Sequence, residues 1–120
     1  MAGPVEPRQG DIFWVDLGEP EGSGPGFRRP VVIIQNDLAN RTAVRTVLAC
    51  SLSTNLRLAA MPGNVALDAG EGGLPQQSVV VVSQVITIDR QLLDELLGAL
   101  SRRRIRQIVA GVASFIEPTP

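Results

Sequence analysis

Two unbroken apolar runs constrain this chain most. Val31-Val32-Ile33-Ile34 follows a proline and stops at Gln35-Asn36-Asp37; Val79-Val80-Val81-Val82 follows Ser78. Each is too short for a helix, largely β-branched and bounded by polar residues, the pattern of a strand covered on both faces. Residues 11–17 (DIFWVDL), 42–52 (TAVRTVLACSL), 64–67 and 84–88 read as further strands. Too little chain lies between them for crossover helices, which argues against a parallel sheet. With 120 residues there is room for one domain and one core. The expectation is a mainly β chain, a small antiparallel barrel followed by a terminal helix.

The rest of the chain punctuates that pattern. Residues 18–26 (GEPEGSGPG) hold four Gly and two Pro, so they form a loop, expected to be mobile when nothing is bound. Residues 68–77 make a second Gly-rich loop. Asp89 is a good N-cap for leucines at 92, 93, 96 and 97, which read as a short helix or as a helical turn feeding a strand. From Ser101 onward, Ile105, Ile108, Val109, Val112, Phe115 and Ile116 recur at helical spacing, with Pro118 beyond the end. Arg102, Arg103 and Arg104 oppose that helix's dipole, a cost of about a few tenths of a kcal/mol each. Residues 1–9, with Pro4 and Pro7, read as a loose arm on a single 1–120 domain.

What is missing excludes much chemistry. The chain has no His, no Lys and no Tyr, so all 11 cations are Arg, and it has one Cys. Ser-His-Asp and Cys-His nucleophile systems, His or thiolate zinc sites and Schiff-base lysine chemistry are therefore excluded. Reactive groups must come from Arg, Asp, Glu, Ser, Thr and Cys50, the last most simply a small buried strand residue. One Cys makes no internal disulfide, no apolar run reaches membrane-spanning length, and the first residues lack a signal-peptide pattern. A cytoplasmic location with no membrane contact is expected.

Net charge, −1, hides a segregation. Residues 1–25 carry one Arg against five acids, and residues 26–60 carry five Arg against one acid. Residues 61–100 carry one Arg against five acids, and the last twenty carry four Arg against one. No global field that steers nucleic acid is expected, but two local basic segments exist.

The motifs, taken in order, resemble the MazF/PemK toxins. Arg8 to Leu17 is similar to that family's opening Arg-Gly-Asp and first strand. Gly22-Ser23 followed by Arg29-Pro30-Val31-Val32-Ile33-Ile34-Gln35-Asn36-Asp37 resembles its second segment. Leu52-Ser53-Thr54-Asn55, Pro62-Gly63-Asn64-Val65, Ser78-Val79-Val80, Gln84 and Thr87-Ile88-Asp89 follow in the family's order. The likeness runs from about Arg8 to Glu117. It implies an SH3-like barrel with a terminal helix, a homodimer, and a metal-independent endoribonuclease that needs no cofactor. That enzyme would cut single-stranded mRNA and be neutralised by a cognate antitoxin.

The resemblance places the family's catalytic Arg on Arg29 and its catalytic hydroxyl, usually Thr, on Ser53, with Thr54 adjacent. Ser23, Arg28, Thr54, Asn55 and Gln84 are the residues it suggests for substrate contact. The chemistry suits RNA, whose 2′-OH supplies the nucleophile. The protein must then stabilise charge on the phosphorane, which guanidinium does well through paired donors. With a pKa above ~12, guanidinium is poor at moving protons. Two positions depart from the family pattern: Gly24 stands where Glu is common, with Glu19 and Glu21 near but out of register, and Ile86 stands where a basic residue is common. Readings from other classes are a CcdB-like gyrase-poisoning toxin and a non-catalytic SH3-like interaction module.

Overall fold

A computed structural model describes residues 6–120. Six strands form one sheet: β1 (Asp11–Asp16), β2 (Arg28–Ile33), β3 (Thr46–Ser53), β4 (Val65–Leu67), β5 (Ser78–Asp89) and β6 (Leu96–Ala99). Their spatial order is β4-β5-β3-β2-β1-β6, and every pairing is antiparallel. The helices are α1 (Asp37–Asn40), a single turn, and α2 (Arg102–Ile116). This is the expected antiparallel architecture in curled, open form. Its two edges are bridged where the 3-10 turn Glu71–Gly73, just after β4, butts against β6. A Cβ on Gly73 would stand 2.1 Å from the Leu97 carbonyl oxygen, so only glycine permits that approach.

Strand alternation divides the core in two. Ile12, Val32, Cys50, Leu52, Val80 and Val82 face one way and pack with Ile108, Ile105 and Val112 of α2. Phe13, Val15, Val31, Ile33, Val47, Ala49 and Ile88 face the other way, with Leu93 and no helix over them. Both faces of the central strands are buried, hence the unbroken apolar run of Val31 to Ile33. Burial pushes the Cys50 thiol up to about 12, as fits a small core residue.

The C-terminal helix forms as its spacing predicts. Ser101 Oγ accepts from the Arg104 N–H at 3.3 Å and caps it. Arg104 is not a solvated member of the arginine run. Its Nε and Nη2 each meet Glu71 at 2.9 Å, a two-pronged ion pair that ties the helix start to the turn beside β6. The guanidinium holds the Glu71 carboxyl below its ordinary value. Gly111 lets the helix touch the turn before β4: a Cβ there would meet the Gly63 carbonyl oxygen at 2.3 Å.

Several local expectations change. Residues 78–82 and 84–88 are one strand, not two. On β3 only Ser51 separates Cys50 from Leu52, whereas on β5 four residues, 81–84, separate their partners Val80 and Val85. The excess is absorbed as a bulge that bends β5 without ending it. The leucine-rich stretch after Asp89 is the helical turn feeding a strand: Asp89 caps the 3-10 turn Arg90–Leu92, and β6 follows. Residues 42–45 precede β3 instead of joining it, because α1 occupies the chain just before them, capped by Asn36 Oδ1 on the Ala39 N–H at 3.0 Å. Residues 1–5 of the expected arm lie outside the described residues. From Pro7, which is buried, the arm is held: the Gln9 N–H donates to Asp37 at 2.8 Å and Gln9 Nε2 to the Ile34 carbonyl at 2.9 Å. The first of these keeps Asp37 below the usual carboxylate range. Among the described residues, no helix is long and apolar enough to cross a membrane.

Candidate active site

The face opposite α2 carries most of the candidate site residues. In an antiparallel pair, residues directly across from each other share a face. Val15 pairs with Arg29, and Val31 with Ser51. Continued two residues past its last pair, the β2–β3 register brings Arg29 and Ser53 to the same end of that face. Gln84 lies on it too, two and four residues before Ile86 and Ile88, both part of the second core cluster. Arg29, Ser51, Ser53 and Gln84 therefore lie on one face of the sheet, contributed by β2, β3 and β5, although 55 positions separate the first from the last in sequence.

Arg29 is half-buried and anchored. Its Nε donates to the Gly26 carbonyl at 2.9 Å, at the end of the Gly-rich loop. Its terminal nitrogens make no hydrogen bond among the described residues. Phe27, at φ 58°, turns the chain from the loop into β2, and backbone bonds between Phe27 and both Leu17 and Gly18 clamp the loop base. The loop runs beside β5, and Glu19, Glu21, Gly24 and Pro25 face Ile86, Thr87 and Ile88 across a groove. Glu19 and Glu21, not residue 24, are the acids at this groove.

Ser53 is half-buried at the end of β3, and its Oγ accepts from the Asn55 N–H at 3.1 Å. This is the common Ser/Thr turn at a strand end, and it leaves the hydroxyl hydrogen to donate elsewhere. Asn55 Oδ1 accepts from the Arg57 N–H at 3.2 Å and caps the 3-10 turn Leu56–Ala60. Thr54 is exposed, with no side-chain hydrogen bond among the described residues, and Ser23 is exposed at the loop tip.

Arg28 is not brought to the cluster. Strand alternation turns it to the face opposite Arg29. There it pairs with Asp94 at 2.6 Å and lies 5.2 Å from the centre of the Trp14 ring. Trp14 is thus a platform for Arg28.

Sequence reasoning missed Ser51 and Asn64. Ser51 is fully buried and its hydroxyl donates to Gln84 Oε1. Asn64 braces the loop after Ser53: its Nδ2 donates to the Leu58 carbonyl at 3.0 Å, and its Oδ1 accepts from the Val82 N–H at 3.0 Å. The only sequence signal for Ser51 was a hydroxyl between two apolar chain neighbours, Cys50 and Leu52. No groups of His, Cys, Asp and Glu able to hold a metal ion occur among the described residues.

Comparison with known proteins agrees with this architecture. Residues 8–116 match the family described as PemK-like, MazF-like toxin of type II toxin-antitoxin system. The Endoribonuclease MazF6 of Mycobacterium tuberculosis is 38% identical over 107 residues, 89% of this chain and 94% of that protein. The Endoribonuclease MazF of Staphylococcus saprophyticus is 34% identical over 84% of this chain and 83% of its own length. Among solved structures, MazF from Deinococcus radiodurans superposes with a TM-score of 0.79 at 20% identity, over 95% of this chain and 99% of that one. A mycobacterial endoribonuclease solved in complex with its cognate antitoxin gives 0.75 at 24% identity, over 95% and 99%. The chain belongs to the PemK-like, MazF-like toxins of type II toxin–antitoxin systems.

Proposed function

We propose that this protein is an endoribonuclease toxin that cuts single-stranded mRNA in the cytoplasm without a metal, acts as a homodimer and is neutralised by a cognate antitoxin. The observation that supports this reading is that strand register puts Arg29 and Ser53 on the same sheet face, the one that no helix covers. The 2′-oxygen of the substrate attacks the adjacent phosphorus, forming the 2′-O–P bond as the P–O5′ bond breaks. The 2′-hydroxyl proton is released and the 5′ oxygen takes one up, leaving a 2′,3′-cyclic phosphate, which can open to a 3′-phosphate, and a 5′-OH. Arg29, held through Nε, turns its terminal donors to the phosphorane, where charge accumulates. Ser53 donates its free hydroxyl hydrogen to a phosphate oxygen. Ser23, Thr54 and Asn55 stand on the loops flanking that position. The relatives' printed activity, endoribonuclease, supports the same reading. Exposed Val109, Phe115 and Ile116 on α2 leave apolar surface for a protein partner.

The test is cleavage of a long mixed-sequence RNA in EDTA, with cut ends mapped and Arg29→Ala beside the wild type. Discrete cuts bearing 5′-OH ends that vanish in the variant are expected. Cuts that persist in Arg29→Ala, or that need a divalent ion, would refute the proposal.

A further inference from the structure

The bulge in β5 leaves one buried amide that no strand serves. Val82 lies within the bulged stretch and pairs with no residue of β3 or β4. It is 1% exposed, so its N–H needs a partner from the protein. Asn64 Oδ1 is that partner, at 3.0 Å. The other end of the same amide, Nδ2, donates to the Leu58 carbonyl at 3.0 Å. One side chain thus ties the bulge to the loop that follows Ser53.

The tie runs on to the hydroxyl. The Leu58 N–H donates to the Asn55 carbonyl at 3.1 Å, and the Asn55 N–H donates to Ser53 Oγ at 3.1 Å. A chain of hydrogen bonds therefore leads from Val82 through Asn64, Leu58 and Asn55 to Ser53 Oγ. Its near end is fixed by packing. The Asn64 N–H donates to the Met61 carbonyl at 3.2 Å. Gly63, at φ 84°, is wedged so that a Cβ on it would stand 3.1 Å from Val82 Cγ2 and 3.3 Å from the Gly111 carbonyl oxygen. Its far end is not fixed that way. Residues 54–57 are exposed and the turn Leu56–Ala60 buries no side chain, so hydrogen bonds decide where Asn55 sits.

A serine side chain has three staggered rotamers, and its hydroxyl hydrogen turns to suit its partners. An N–H on Oγ selects among them and leaves the hydrogen to point elsewhere. We infer that Asn64 is a positioning residue for cleavage: it holds the Asn55 N–H on Ser53 Oγ and so keeps the hydroxyl aimed at the scissile phosphate. This rests on the endoribonuclease reading above. The position calls for an amide, because it must accept from Val82 and donate to Leu58 at once. Aspartate has no donor and would set a carboxylate oxygen against the Leu58 carbonyl.

The experiment is a double-mutant cycle read by single-turnover cleavage of a short RNA containing one mapped site. It compares wild type, Ser53→Ala, Asn64→Ala and Asn64→Asp, with each Asn64 variant also made in the Ser53→Ala background. Thermal unfolding of every variant sets a common temperature at which all are folded. Asn64→Asp keeps the acceptor for Val82, so it cuts the tether to Leu58 with the bulge intact, even where Asn64→Ala unfolds. Each Asn64 variant is expected to slow cleavage by about tenfold at saturating protein, the worth of one hydrogen bond, with the half-saturating concentration unchanged. In the Ser53→Ala background the same changes should slow it by less than about twofold, because the group to be aimed is gone. Equal losses in both backgrounds would mean that the whole site loosens and would overturn the inference. So would an Asn64→Asp as fast as wild type, or a Ser53→Ala as fast as wild type; each leaves the endoribonuclease intact. A folded wild type that cuts no site in a long mixed-sequence RNA would overturn the enzymatic reading and this inference with it.

Discussion

Arg29 Nε donates to the Gly26 carbonyl at 2.9 Å, so the guanidinium proposed to meet the phosphate also closes the loop that borders it. One interaction thereby does two things. It fixes the rotamer of a long, otherwise mobile side chain, and it ties the exit of a Gly-rich loop to the start of a buried strand. Pre-setting these groups lowers the ordering cost when RNA arrives.

Arg29→Lys keeps the charge but loses both the Nε anchor and the paired donors. Cleavage by this variant should fall by roughly 10²-fold, the scale of losing one preorganised donor at a transition state. Single-turnover rates on a short RNA containing one mapped site measure this. A variant within threefold of wild type would show that charge alone suffices.

The Ser53 hydroxyl accepts from the Asn55 N–H and donates to no group among the described residues, whereas Thr54 is exposed and its side chain makes no hydrogen bond among them. Ser53→Ala should slow cleavage by about tenfold to a hundredfold, the range for a hydrogen bond to a charged group. Ser53→Thr should stay near wild type, since it keeps the hydroxyl. Thr54→Ala should change the rate little. The reverse ranking would move the catalytic hydroxyl one residue along the chain.

Gly111→Ala separates packing from propensity. In an isolated helix the change would stabilise by roughly 1 kcal/mol. Here the added Cβ meets the Gly63 carbonyl oxygen at 2.3 Å, a backbone atom that cannot rotate away. Overpacking of this kind costs about 1–3 kcal/mol, so the melting temperature should fall. A rise on thermal unfolding would mean that the helix and the turn are not held this close.

Glu71 carries the clearest pH signature. The Arg104 guanidinium, foremost, holds its folded-state pKa below the ordinary 4.5. A depressed carboxylate pKa gives stability that is fully present above the unfolded value and is lost as pH falls through the folded one. Wild type should therefore melt higher than Glu71→Gln by a constant margin near neutral pH, and the margin should close below about pH 4.5. Melting curves of both proteins from pH 3 to pH 7 check this, and a margin independent of pH would remove the ion pair as its cause.

Strand and helix content was legible from the chain because burial is periodic. β1, β2 and β4 and the full length of α2 follow from runs of β-branched residues and from apolar spacing, both set within a few neighbours. Where a bulge or a strand edge decided the outcome, local pattern did not suffice. Residues 78–88 carry a polar Ser-Gln step that reads as a break, yet pairing with β3 carries the strand through it. The leucines after Asp89 suit a helix, but β1 offers an open edge, and β6 pairs there.

The site divides in the same way. Arg29 was placed by the resemblance, in a segment that runs from a Gly-rich loop into Pro30, and the absence of His, Lys and Tyr had already narrowed the reactive groups to guanidinium, carboxylate, hydroxyl and one thiol. The partners of these groups were invisible there. Only the folded sheet sends Arg28 away to Asp94 and Trp14, sets Ser51 behind Gln84 and pairs Arg104 with Glu71. The physical reason is range. Propensity and periodicity act between near neighbours in the chain, whereas strand register and the two faces of a sheet join residues tens of positions apart.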